Sequence, residues 1–350
     1  MGKLWRRTEK GEKNPNGLLE VDMSTLAIDK PTVIFLTGFF TYDKTPQYIR
    51  SAFKSVNELM ANRPGEQKPV DTYVWSHSGL AELFNIAAYD AAPGSRSSRN
   101  GYNLSRGVIM PLVAKDFKMD ADGNVTGKPL PLEEAKKNLR NVTFFAYSAG
   151  TITGQECFNA SMKLMKKIGY SEKDAREALH EVVMVGVGVM SRPGREKDRF
   201  TTLYLEANND RLVNLKNRMW APLRAMFAWF ARKLQIQALS DSSAIISASV
   251  KKSNKEIRQK DGKKVERKIE TMAPKWFPVR SLHELPRYVT EDEGLSPFAK
   301  IVEYSLTNAV NRDCRLSPLD LMSPPTGVDA QAAAAYTAKI DKAFIKPRKK

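Results

Sequence analysis

Short, unbroken apolar runs alternate with longer stretches of helical periodicity from Leu18 to about Val213. The runs TVIFLT (32–37), DTYVWS (71–76), NVTFFAYS (141–148), EVVMVGVGVM (181–190) and FTTLYLEA (200–207) have the length and the β-branched or aromatic content of buried strands. Between them, 47–61, LPLEEAKKNL (130–139) and 152–168 read as helices, and two further helical stretches flank the loop PGSRSSRNG (93–101). Strand and helix in alternation predict βαβ units and a mainly parallel sheet.

After Val213 the pattern changes. The stretch PLRAMFAWFARKL (222–234) sets Leu223, Met226, Phe227, Phe230 and Leu234 on one helical face, with Arg224 and Arg232 opposite. Lys251 to Lys268 then carries nine basic and three acidic residues around KDGK, a hairpin turn signal. A helix near 297–310, a Pro-rich link, an Ala-rich helix and the basic end KPRKK complete the chain, while residues 1–17 are polar and read as loose. The expected organisation is an N-terminal extension with a short strand (1–30), an α/β core (31–213), an insertion (214–275), a core completion (276–311) and a C-terminal extension (312–350).

Composition narrows the function classes. The 350 residues, 42% of them hydrophobic, suffice for one large α/β domain with insertions or for two modest ones. Lys plus Arg number 56 against 39 acidic residues, a formal charge of +17 that favours acidic partners. No uncharged apolar run reaches spanning length, and MGKLWRRTEKGEKNPNG lacks the apolar core of a secretory signal. Arg6 stands where a myristoylation signal wants Ser or Thr; with neither a secretory signal nor a spanning run expected, the expected location is cytoplasmic, with export by a leaderless route left open. Cys157 and Cys314 are read as free thiols, and neither they nor the three histidines show metal-ligand spacing. Other motifs fail: Ser191 occupies the third glycine position of a dinucleotide fingerprint in VGVGVMS, and KMDADGNV reads as a turn rather than a calcium loop.

The chemistry concentrates at AYSAG (146–150), where a hydroxyl lies between a buried strand and a helix and is flanked by small residues. This segment resembles the nucleophile elbow of the α/β-hydrolase family, usually Gly-x-Ser-x-Gly, with Ala146 in place of the first glycine. The turn needs small neighbours because its serine takes a strained backbone. The family order of nucleophile, acid and histidine is met by Ser148, by Asp210 in EANNDRLV just past a strand, and by His283 in VRSLHELPRYV. His283 is the only histidine after Asp210; His180 precedes a strand and so belongs to the wrong end of a sheet, whereas His77 follows DTYVWS at the carboxyl edge.

The resemblance spans about 31–289 and implies a three-layer α/β/α sandwich with a helical and hairpin insertion between the last strands. It implies oxyanion donors at Ala149 and at Phe39 in LTGFFTYD, where Thr37 replaces the family's usual histidine and Gly38 matches. Gly38, Phe40, His77 and Tyr147 would line the pocket. The implied activity is hydrolysis of a small-molecule or lipid ester through an acyl-enzyme, with no cofactor and no metal. The basic charge admits peripheral contact with an anionic membrane, and nucleic acid is not expected. Helix 222–234 reads either as a lid over the pocket or as a core helix with its basic residues snorkelling. Two rival classes stand: a non-catalytic protein of this fold in which AYSAG only makes the turn, and a binder of acidic partners that uses the basic hairpin.

Overall fold

A computed structural model describes residues 2–8, 17–24, 26–38, 56–61, 69–76, 99–120, 124–189, 200–207, 243–248, 255–260, 263–268, 285–289 and 298–344. Its strands are β1 (Lys3–Arg7), β2 (Leu18–Glu20), β3 (Thr32–Leu36), β4 (Asp71–Ser76), β5 (Ala114–Met119), β6 (Val125–Pro129), β7 (Val142–Tyr147), β8 (Val183–Val187), β9 (Thr201–Ala207), β10 (Ser243–Ala248), β11 (Lys255–Lys260) and β12 (Lys263–Lys268). The helices are α1 (Arg99–Leu104), which runs through a π-helical turn (Ser105–Ile109) into α2 (Met110–Val113), then α3 (Leu132–Leu139), α4 (Gly150–Lys167), α5 (Glu172–Leu179), α6 (Leu285–Val289), α7 (Ala299–Asn311) and α8 (Ala330–Phe344). Residues 56–61 are also helical.

Eight strands form one sheet in the order β10-β9-β8-β7-β3-β4-β1-β2. The six from β10 to β4 run parallel. β1 lies antiparallel to β4, and β2 antiparallel to β1. The register aligns Trp75, Leu36, Ala146, Gly186 and Tyr204 in one line across the sheet. Every residue of β3, β7 and β8 is buried, which is why these strands read as continuous apolar runs.

Alternate side chains feed two separate cores. Ile34, Leu36, Phe144, Ala146, Met184 and Tyr204 pack with residues of α1, α2, α4 and α5. Val33, Phe35, Phe145, Val185, Leu203 and Leu205 pack on the other face with Val56, Met60, Tyr288, Ile301 and Val302. The chain is therefore a mixed α/β sandwich, with a mostly parallel sheet between helical layers. Local signals agree with this: Ser171 caps α5 by accepting the Asp174 N–H at 3.0 Å, with Glu172 and Asp174 in the first turn.

Several elements depart from the sequence reading. Residues 3–7 form a sheet strand rather than a loose lead, with Leu4 buried in the core and Trp5 Nε1 donating to Ser76 Oγ at 2.9 Å. The segment 243–248, placed by the sequence inside an insertion, is the sixth parallel strand, paired with β9 from Ser243↔Thr202 to Ala248↔Ala207. β5 and β6 form a small hairpin of their own, with a register shift between Lys115 and Lys118 and Asp116 at φ 52°. The basic hairpin is present as β11 and β12, paired from Lys255↔Lys268 to Lys260↔Lys263. Leu321 and Tyr336, from the expected C-terminal extension, lie in the second core. Helix 222–234 falls outside the described residues. Among the described residues no helix is long and apolar enough to cross a membrane.

At the amino ends of β7 and β8 a half-buried arginine closes the sheet. Arg312 donates to the carbonyl oxygens of Arg140 (2.7 Å), Val142 (3.2 Å) and Glu181 (2.7 Å) through Nη2, and to Ala309 (2.7 Å) through Nη1. Burial pushes its pKa down to about 10, so it stays a cation at neutral pH. Arg140 and Glu181 pair beside it at 2.8 Å.

Candidate functional site

Strand order places the site before any side chain is considered. From β3 the chain crosses to β4 on one side, and it later returns to β7 on the other. The reversal opens a crevice at the carboxyl ends of β3 and β7, the position at which open α/β sheets bind ligands. Gly38 follows β3 and Ser148 follows β7, so both stand at that crevice.

Ser148 is bent in a way its neighbours in sequence do not require. Its φ is 53°, a left-handed value shared among the described non-glycine residues only with Asp116. Such a conformation costs a side-chain-bearing residue about 1–3 kcal/mol and persists only where the surroundings enforce it. Those surroundings are on both sides of the Cα. The Ser148 N–H donates to Val187 O of β8 at 3.0 Å. The Ser148 carbonyl accepts from the Thr151 N–H at 3.1 Å and from Thr151 Oγ1 at 2.7 Å.

Helix α4 begins two residues later and presses its first turn onto β3. A Cβ on Gly150 would collide with the Leu36 carbonyl oxygen and would stand 2.7 Å from Leu36 C and 2.9 Å from Thr37 O. A Cβ on Gly38 would lie 3.0 Å from Ser148 Cβ and 3.0 Å from Tyr147 Cδ1. Gly150 is therefore required by close approach to backbone, while a side chain at Gly38 would need its neighbours to give by a few tenths of an ångström; together the two glycines bring the β3 end, the turn and the helix start into contact. Thr37 fixes the exit from β3, with its N–H donating at 3.2 Å and its Oγ1 at 2.9 Å to Trp75 O.

Electrostatically, the site is the positive end of an 18-residue helix. Ala149 precedes its first turn, and the Ala149 N–H meets no acceptor among the described residues. An N–H at a helix start beside a hydroxyl is of the kind that can donate to an anionic oxygen. Ser148 itself is buried, with 2% of its surface accessible.

Of the residues picked from sequence, Gly38, Tyr147, Ser148 and Ala149 come together here. Asp210, His283, Phe39, Phe40 and His77 lie outside the described residues. His180 lies where its position before β8 predicts, at the amino end of the sheet. Burial, then the charges of Arg315 and Arg176, pushes its pKa down to about 4. Burial pushes the Cys157 thiol up, which leaves it an inert core side chain. Among the described residues no group of three His, Cys, Asp or Glu side chains could hold a metal ion.

Sequence reasoning named Thr37 only as the replacement for the family's usual histidine, and it missed Thr151. Each is a threonine one or three residues from a recognised glycine or serine, but only the fold shows which carbonyl its hydroxyl meets. No family model and no curated protein matches this chain.

Proposed function

We propose that the protein is a serine hydrolase of the α/β-hydrolase fold that cleaves an acyl ester through an acyl-enzyme on Ser148. The observation that carries this reading is the φ of 53° at Ser148, on a strand-to-helix turn at the reversal point of a parallel sheet. Strain of that kind in a residue other than glycine needs a reason, and holding a nucleophile at the edge of a crevice supplies one.

In the proposed reaction Ser148 Oγ attacks the ester carbonyl while His283 takes its proton. Asp210 fixes the imidazole tautomer and stabilises the imidazolium. The tetrahedral oxyanion sits on the N–H groups of Ala149 and Phe39, at the positive end of α4. Its collapse expels the alcohol, protonated by His283, and water activated by the same histidine then frees the acid. This chemistry draws on no cofactor. The choice of ester over amide is by analogy with the fold.

Chain geometry supports the partners. β9 ends at Ala207 on the same carboxyl edge, and Asp210 follows by three residues, a tether of about 11 Å at full extension. His283 precedes α6 by two residues, and Leu285 and Tyr288 of that helix share a core with Tyr147. The test is turnover of a soluble nitrophenyl ester. Ser148→Ala, His283→Gln and Asp210→Asn should each lower kcat by several orders of magnitude with the melting temperature nearly unchanged. Full activity in Ser148→Ala would remove the assignment.

A second reading concerns the hairpin. Its strands pair from Lys255↔Lys268 to Lys260↔Lys263. The segment 251–268 carries nine basic against three acidic residues, so the hairpin is proposed as a peripheral contact with an anionic membrane that holds lipid esters.

A further inference from the structure

Thr151 is a residue of the elbow that neither the proposed triad nor the oxyanion donors account for. It is fully buried at the second position of α4 and gives two hydrogen bonds to one oxygen, the carbonyl of Ser148. The Oγ1 bond, at 2.7 Å, is the shorter of the two. The other side of the Ser148 Cα is held by the bond from its N–H to Val187 O. With the N–H and the carbonyl both pinned, the Cα–Cβ bond of Ser148 has one direction. A return to negative φ would require the elbow to give up at least one of these bonds.

Packing decides which group Thr151 turns toward the serine. A Cβ on Gly186 would lie 3.1 Å from Thr151 Cγ2, so the methyl fills the space above β8 and the hydroxyl is directed at the elbow. Serine would keep the bond without the methyl. Valine would keep the shape without the bond.

We propose that Thr151 is a positioning residue for the nucleophile, its hydroxyl holding the Ser148 carbonyl so that Oγ stays aimed into the crevice. This rests on the reading of Ser148 as the nucleophile. Losing one buried hydrogen bond shifts the equilibrium between the strained turn and its alternatives by about 3- to 10-fold, which bounds the loss of the competent turn. Acylation should slow by the same factor, while substrate binding, which does not involve Thr151, should not change.

The experiment compares the full-length wild type with Thr151→Val and Thr151→Ser, using the rate of covalent labelling by a fluorophosphonate and the kcat and KM for a nitrophenyl ester. Thr151→Val should label about 3- to 10-fold more slowly and lose kcat by a similar factor at constant KM, while Thr151→Ser stays within about twofold of wild type. A Thr151→Val variant that labels at the wild-type rate overturns the proposal, as does a Thr151→Ser variant slowed equally, since the methyl rather than the hydroxyl would then matter. If Thr151→Val does not fold, Thr151→Ala against Thr151→Ser makes the same comparison. A folded wild type that forms no adduct would instead remove the nucleophile assignment, and the Thr151 proposal with it. A wild type that reacts and a valine variant that keeps pace would remove only the latter.

Discussion

Gly150→Ala puts a single methyl where the elbow has no room for one. The added carbon would collide with Leu36 O and lie 2.7 Å from Leu36 C and 2.9 Å from Thr37 O. Ordinary carbon contacts lie at about 3.5–4.0 Å, so β3 and the start of α4 must separate by roughly 1 Å. Both are backbone, and β3 is held on each side, by β4 and by β7. Overpacking of this kind costs about 1–3 kcal/mol, here at the upper end, against at most about 1 kcal/mol gained from alanine's better helix propensity. The net loss is about 2 kcal/mol, and at roughly 2 °C per kcal/mol for a large domain the melting temperature should fall by about 4 °C. If Ser148 is the group labelled, a displacement of about 1 Å there should also cut fluorophosphonate labelling by about 100-fold.

Gly154→Ala, one helical turn on, is the control. Its new methyl meets Met184 Sδ, the flexible part of a side chain that can bend away, and the propensity gain is undiminished. That variant should stay within about 1 kcal/mol of wild type and label normally. A Gly150→Ala protein that melts and labels like wild type, or a Gly154→Ala protein that suffers more, would refute this account of the elbow.

The other predictions reach beyond the elbow. Arg312→Met removes the donor shared by the carbonyls of Arg140, Val142, Glu181 and Ala309, and urea unfolding should show a loss of about 1–3 kcal/mol. The labelling rate of its folded fraction should hold, because the clamp is at the opposite end of β7. His180 is pushed down to about 4 in the fold, so between its unfolded value of about 6.5 and about 4 the unfolded chain binds more protons. Its stabilising effect is therefore complete above pH 6.5 and is lost as pH falls toward 4, up to about 3 kcal/mol; His180→Leu should flatten the urea midpoint over that window. For the hairpin, binding to phosphatidylserine vesicles should weaken from low to physiological salt, and Lys263→Glu with Lys264→Glu should weaken it by about 30-fold or more. Binding indifferent to both changes would leave β11 and β12 as a solvated ribbon.

What the sequence revealed and what it hid divide along physical lines. β3, β7 and β8 are buried on both faces, so their composition alone betrays them, and the small residues around Ser148 mark a cramped turn. β1 is different: KLWRR is mostly polar, and it becomes a strand through pairing with β4 and β2, partners set by distant sequence. β10, SAIISA, is short and serine-rich between an aromatic-rich segment and a basic run, so nothing local distinguishes it. β5 and β6 lie largely at the surface, and the positive φ of Asp116 breaks the alternation that would have exposed them. The elbow resemblance anticipated strain at Ser148, but its source was hidden, because it comes from Val187, Thr151 and Leu36 converging on the turn from two other strands and a helix.

The central claim is that Ser148 is a nucleophile, and the most direct test is to find the adduct. The folded wild-type protein, treated with a fluorophosphonate and digested, should yield one modified peptide with the added mass on Ser148. Ser148→Ala, with an unchanged melting temperature, should yield none. A wild-type protein that stays unmodified, or an adduct on any other residue, would contradict the account.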